Sequence, residues 1–313
     1  MKRILSIVLV VMLFVMVGCG SEPQVKEQKL SKLTIGLMPD TDSIPFIIAA
    51  EYGYFAEEGI EIELIPFKSA MERDAALQSG SLDGAVSDLL AVIFARSGGF
   101  SVYATSYTDG SYNLVAGGNT DIASAADLRG KEIAISRNTI IEYVTDEILA
   151  VNGVGEKDVS KVVIPQIPVR LEMLQSGNLA AVVLPEPMAS VAEFSGSRYV
   201  TGSGDLGINP GVIVFTDSAI KDKEQSIRAM YRAYDKAANY LNNTPRADYI
   251  DLIMERSGFP GPARDALVLK PYRFAGLPAE KDVDEAVRWV KNKGLAGDYR
   301  YDELVSKLLT EGK

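Results

Sequence analysis

The chain has 313 residues, 47% of them hydrophobic and 24% charged, a globular composition with material for one large core or two of ordinary size. A formal net charge of −10 argues against nucleic acid as a partner. Histidine is absent and there is one cysteine, which excludes Ser-His-Asp and Cys-His catalysis and every histidine metal site.

Met1-Lys2-Arg3 precede an apolar run from Ile4 to Val17 that is short for a bilayer span, followed by Gly18-Cys19-Gly20. That order predicts an export signal over residues 1–18. MVGC at Met16–Cys19 resembles the lipobox of bacterial lipoproteins, which implies acylation of Cys19, although Met16 and Val17 depart from the commonest leucine-then-small pattern. With Cys19 committed to lipid the exported protein has no disulfide and no thiol chemistry. Residues 19–32 are polar and aperiodic from Ser21 onward, as suits a lipid-anchored flexible tether. Loss of Lys2 and Arg3 takes the 32 basic side chains to 30, against 42 acidic ones.

Thr34–Leu37 reads as a short β-prone run, and Asp40, Thr41, Asp42 and Ser43 supply cap chemistry before Ile44-Pro45, where proline fits a first helical turn. A strand feeding a helix through such a loop leaves N–H groups and short polar side chains at the strand's carboxyl end, where open α/β sheets bind ligands. Gly53 closes the helix, Tyr54–Gly59 adds a turn, and Ile60, Ile62 and Leu64 alternate with Glu61 and Glu63 in a strand with one buried face. Ser69 and Glu72 have capping-box spacing for a helix through Gln78. Gly84–Ser87 is a buried strand, Asp88 starts an apolar helix, and Phe100–Tyr107 and Tyr112–Ala116 are further strands.

The pattern then restarts: a short helix at Ser124–Leu128, a strand at Glu132–Ser136, the polar loop Arg137-Asn138-Thr139 and a helix over Ile140–Val151. A strand at Val162–Pro165 and a helix over Val169–Gln175 follow. Leu77–Ser87 and Leu174–Leu184 are identical at six of eleven positions, 97 residues apart, which points to two similar α/β lobes built by duplication. The glycine-rich Gly202–Gly211 precedes the apolar run Val212–Phe215, a second crossing between lobes. From Asp217 the pattern is helical, with a tyrosine stripe at helical spacing that reads as core and a last strong helix over Val283–Lys291.

Four segments, GLMPDTDSIPFIIAAEYGYFAEEGIEIELIPF, ALQSGSLDGAVS, ADLRGKEIAIS and LPEPMAS, resemble in this order the solute-binding lipoproteins of the nitrate/sulfonate/taurine and thiamine-pyrimidine type that serve ABC importers. The resemblance spans roughly Leu33 to Thr216 and implies a type II periplasmic-binding-protein fold, two α/β lobes with a ligand cleft between them and extra C-terminal helices. The expected division is 33–114 plus 213–313 for lobe 1 and 115–212 for lobe 2. It also implies a monomer without cofactor or metal, lipid-anchored outside the cytoplasm, that passes a small-molecule ligand to an ABC permease and its ATPase.

The candidate ligand contacts are Asp40, Thr41, Ser43, Ser69, Met71, Ser87, Asp88, Arg137, Asn138, Thr139, Glu186 and Met188, on loops at strand ends, with Phe46, Tyr107, Tyr112 and Tyr143 available to stack on a flat ligand. Most of the short polar residues serve equally as helix caps, and the aromatics equally as packing. Arg137 and Arg170 are candidates to clamp an anion. The acids on these loops favour a neutral or cationic heteroaromatic, a thiamine pyrimidine or flavin-like vitamin, and a small anion is the alternative. An enzyme on the same fold and a receptor module for a membrane kinase are the rival functions.

Overall fold

The computed structural model describes residues 30–310, so the expected export signal and Cys19 lie outside the described residues. The chain starts with β1 (Leu33–Leu37), whose LTIGL sequence is apolar toward both faces, as suits a central strand. α1 (Ile44–Glu51, with proline in its first turn) and the single turn α2 (Tyr54–Glu57) lead to β2 (Ile62–Pro66). α3 (Ala70–Gln78), β3 (Gly84–Asp88), α4 (Leu89–Ser97) and β4 (Val102–Tyr107) follow.

The chain then crosses into a second sheet through β5 (Tyr112–Ala116), β6 (Glu132–Ile135), α5 (Ile140–Val151), β7 (Ser160–Val163), α6 (Ile167–Gln175), β8 (Ala181–Pro185), α7 (Met188–Phe194) and β9 (Arg198–Gly202). It returns by β10 (Gly211–Thr216) and ends in helices, among them α8 (Asp217–Asp222), α9 (Glu224–Asn243), α10 (Ile250–Ser257), α11 (Ala263–Ala266) and α12 (Glu280–Asn292).

The two sheets have the same plan. Their orders are β2-β1-β3-β10-β4 and β7-β6-β8-β5-β9, and in each the crossing strand, β10 or β5, runs antiparallel to both neighbours. The strands beside them are parallel, β1 with β2 and β3, and β6 with β7 and β8. The repeated sequence explains the match: α3 and α6 each end on a glycine at positive φ, Gly80 at 77° and Gly177 at 76°, and β3 and β8 begin four residues later. Only glycine adopts that backbone without strain. The result is an α/β protein of two lobes, as expected.

One strand is displaced from its expected place. β7 begins at Ser160, two residues before Val162, and pairs Glu132 with Ser160. It is an edge strand, and its polar Ser160 and Lys161 hide the apolar alternation. α6 likewise starts two residues early, at Ile167, because Pro168 sits in its first turn, where a missing N–H costs nothing. The tyrosine stripe of α9 is core: Tyr234 meets Phe46 edge-on at 5.4 Å, and the Tyr231 hydroxyl lies 2.5 Å from Thr105 Oγ1.

Candidate functional site

The carboxyl ends of β1 and β3 in one lobe face those of β6 and β8 in the other, as parallel α/β sheets place their ligand sites. Between them lies a small cavity lined by Met38, Asp40, Arg73, Ser87 and Asp88 on one side and by Tyr112, Ser136, Thr139, Ile141, Ile167, Arg170 and Pro185 on the other. The lobes touch around it: Ile167 N–H donates to Lys68 O at 3.1 Å, and Thr41 N–H to Glu186 O at 2.9 Å.

Arg73 and Arg170 occupy the same place in the two copies of the repeat, 97 residues apart, and both are buried. Their surroundings differ. The Arg73 guanidinium meets Asp74 at 2.7 Å and Asp88 at 3.5 Å and donates to Val86 O at 3.3 Å. Burial alone would lower its pKa, but Asp74 and Asp88 outweigh that and raise it. In the second lobe the counterparts of those two acids are Leu171 and Pro185. Arg170 therefore has only backbone partners, Ile164 O at 2.8 Å and Pro165 O at 3.1 Å, while its Nε and Nη2 have none among the described residues. Burial lowers its pKa to about 9.

The other groups around Arg170 extend this imbalance. Ser87 Oγ is buried without a partner among the described residues. Thr139 caps α5, donating to Ser136 O at 2.7 Å and accepting from Ile141 N at 3.2 Å, so the positive end of α5 faces the cavity. On the first lobe Asp88 caps α4 through Ala91 N at 2.9 Å. Asp40 is also buried; desolvation raises its pKa to about 6 against the opposing pull of Arg73 and Ser43. Behind it, Asp42 accepts from Thr108 Oγ1 at 2.9 Å and Tyr112 Oη at 3.3 Å, and burial followed by the Asp40 charge pushes its pKa well above the carboxylate range.

Of the residues expected at the ligand, Asp40, Ser87, Asp88 and Thr139 line this cavity, as does Tyr112. Asn138 holds the adjoining loop at φ 56°, with its N–H on Glu142 at 2.7 Å. Ser43 shapes the first loop by bonding Met38 O at 2.8 Å, and Ser69 is spent capping α3 at Glu72 N.

The remaining candidates lie elsewhere. Phe46 and Met188 are buried in one hydrophobic core and Tyr143 in another, where apolar burial outweighs any ligand role. Met71 and Arg137 point to solvent, because the cavity side of α3 is taken by Ala70 and Arg73 and that of the second loop by Ser136 and Thr139. Tyr107 donates to Phe274 O at 2.8 Å and lies under the Arg273 guanidinium at 3.8 Å. Thr41 and Glu186 face a different groove, where Glu186 accepts from Asn113 Nδ2 at 2.7 Å and Ser190 Oγ at 2.7 Å. Arg73 was not among the candidates; its place in the repeat opposite Arg170 is the signal that picks it out.

Among the described residues no helix is long and apolar enough to cross a membrane, and no group of three or more acidic, cysteine or histidine side chains could hold a metal ion. A family model described as NMT1/THI5 like matches residues 40–248. The chain belongs to the NMT1/THI5-like family. This NMT1/THI5-like chain is 24% identical over 260 residues to a Brachyspira hyodysenteriae protein named as an ABC transporter periplasmic binding protein, covering 78% of the chain and 75% of that relative. It is 27% identical over 141 residues to a Bacillus subtilis protein named as an aliphatic sulfonates-binding protein, over 42% of each. The solved alkanesulfonate-binding protein SsuA of Xanthomonas axonopodis pv. citri, bound to MOPS, shares the fold with a TM-score of 0.75 at 18% identity, over 85% of this chain and 94% of that one.

Proposed function

We propose that this NMT1/THI5-like protein is an extracytoplasmic solute-binding protein that closes its two lobes on a small organic or inorganic anion and presents it to an ABC permease and its ATPase, without chemical turnover. The observation that carries the reading is Arg170, a buried guanidinium with two donor atoms aimed at no acceptor among the described residues. An unpaired buried cation is costly, and a ligand carboxylate, nitrate or sulfonate would satisfy it through two charge-assisted hydrogen bonds. Ser87 Oγ and the α5 N-terminus supply further donors on either side. The sulfonate ligands in the names of two similar proteins agree with this chemistry.

The heteroaromatic vitamin expected from the acidic loops has less support, since Phe46, Tyr107 and Tyr143 do not line the cavity and Arg73 already neutralises part of the acid there. Asp40 and Asp88 are the observation that keeps a cationic ligand as the second reading. Ligand contacts to both lobes favour the closed state, which is the form a permease would recognise. We place the protein on the membrane through Cys19, as a monomer.

The test is a thermal-shift screen of the full exported chain against alkanesulfonates, taurine, nitrate, thiamine pyrimidines and flavins, with product analysis of each binder. A melting-temperature rise with small anions is the expected result. Stabilisation by pyrimidines or flavins alone would overturn the anion assignment, and turnover of any binder would overturn the non-enzymatic one.

A further inference from the structure

The chain's one tryptophan does not line the ligand cavity; it stands where the two lobes meet. α12 packs on α4 of the first lobe, which carries it, and its Val283, Ala286, Val287 and Val290 join a core that takes in Leu89, Leu90 and Ile93 of α4 and also residues of α5 in the second lobe. Its last turn reaches the other lobe. Trp289 meets Tyr143 of α5 edge-on, centroids 5.7 Å apart, and its Nε1 donates to Asp146 Oδ2 at 3.1 Å. Lys293 Nζ lies 4.8 Å from the centre of the indole ring and contacts Asp146 at 2.5 Å, Glu156 at 3.0 Å and Glu142 at 3.2 Å.

Lys161, on β7, is the only other cation on these three acids among the described residues, and it belongs to the same lobe as they do. Without Lys293 one ammonium would face three carboxylates, two of them less than a tenth exposed. Like charges crowded in a poorly solvated place repel strongly, so the second lobe gains by meeting a cation from the first. Glu142 carries the arrangement to the cleft. Its Oε1 faces Lys293 and Lys161, and its Oε2 accepts the N–H of Asn138, whose neighbour Thr139 lines the ligand cavity.

We propose that Trp289 and Lys293 form an interlobe latch, docking on Asp146 and Glu142 as the lobes close, holding the Asn138–Thr139 loop in place and so setting how long a ligand is retained. The proposal rests on the two-lobe clamp reading and deepens it. Both are positioning residues, since neither touches the cavity.

Trp289 is itself the reporter, because no other tryptophan contributes to emission. The full exported chain and its Lys293→Met and Lys293→Arg variants are compared by tryptophan emission and small-angle X-ray scattering, first ligand-free and then with ethanesulfonate, whose release is followed by stopped flow. Ligand-free Lys293→Met should emit further to the red and scatter as a more open particle, and should release ethanesulfonate about tenfold faster, a change of ~1.4 kcal/mol. Lys293→Arg, which keeps the charge, should behave as the parent. Asp146→Asn supplies the same comparison from the other lobe should Lys293→Met fail to fold. Emission and scattering of the ligand-free variants identical to the parent would overturn the latch. If ethanesulfonate binds none of the proteins, the anion reading is what fails, and the ligand-free measurements still decide the latch.

Discussion

Replacing Arg170 by methionine separates a binding role from a structural one, because the two roles predict opposite changes in stability. The guanidinium is fully buried, and desolvation lowers its pKa from the ordinary arginine value to about 9, which at 1.36 kcal/mol per unit is a penalty of about 5 kcal/mol. Because the folded pKa of this base lies below its unfolded value, the penalty is fully present at neutral pH and is relieved only as pH rises above about 9 toward the ordinary arginine value. The two carbonyl bonds to Ile164 and Pro165, at about 1.5 kcal/mol each for a charged donor, offset about 3 of it. Methionine fills a similar stem volume without the charge, so the ligand-free variant should gain about 2 kcal/mol, a melting-temperature rise of several degrees. Binding should move the other way. Loss of two charge-assisted bonds to the anion, about 1.5 to 3 kcal/mol each, weakens affinity roughly 100-fold or more. Differential scanning fluorimetry gives the first number and isothermal titration with ethanesulfonate or nitrate the second. A variant that melts lower than the parent and still binds the anion with parental affinity would refute the reasoning.

Asp40 should make the cleft pH-dependent. Its folded pKa of about 6 lies above its unfolded value of 3.8, so its ionisation costs stability as pH rises through that window; Asp40→Asn should be more stable than the parent at pH 7.5 and show no such gain at pH 4, by urea denaturation. Protonating Asp40 also removes a negative charge from the wall of the cavity that Arg170 lines, so anion affinity measured at pH 5.5 should exceed that at pH 7.5, and equal affinities would argue against it. Gly110→Ala would drive its Cβ into the Asp42 carboxylate where the chain crosses between lobes, at a cost of about 1 to 3 kcal/mol, read as a lowered melting temperature. Cys19→Ser should move the protein from the membrane to the soluble fraction on fractionation of expressing cells, and retention at the membrane would rule out the lipid anchor.

Much of the fold can be read from local sequence because its signals are local. Alternation in Ile60–Leu64, the capping spacing of Ser69 and Glu72 and the glycine stops at Gly80 and Gly177 each involve neighbours a few residues apart. The repeated eleven-residue segment then predicts a second lobe like the first, since equal segments fold to equal helix–turn–strand units. The expected cleft loops also follow, because a strand's carboxyl end is fixed once the strand is. Which side chain turns into the cleft does not follow. Phe46 and Tyr143 look like stacking residues in the sequence, yet α9 and α12, more than 140 residues downstream, pack over them and make them core.

The sequence by itself determined the two α/β units, their repeated segment and the absence of histidine chemistry, because those depend on composition and short-range pattern. Only the tertiary structure decided the charge balance of the cleft. Arg73 and Arg170 are equivalent in sequence, and one is neutralised while the other has no carboxylate partner among the described residues, because Asp74 and Asp88 accompany the first, whereas Leu171 and Pro185 stand at the equivalent places beside the second. The energy of a charge depends on what surrounds it in space, and that is settled when the strands and helices pack.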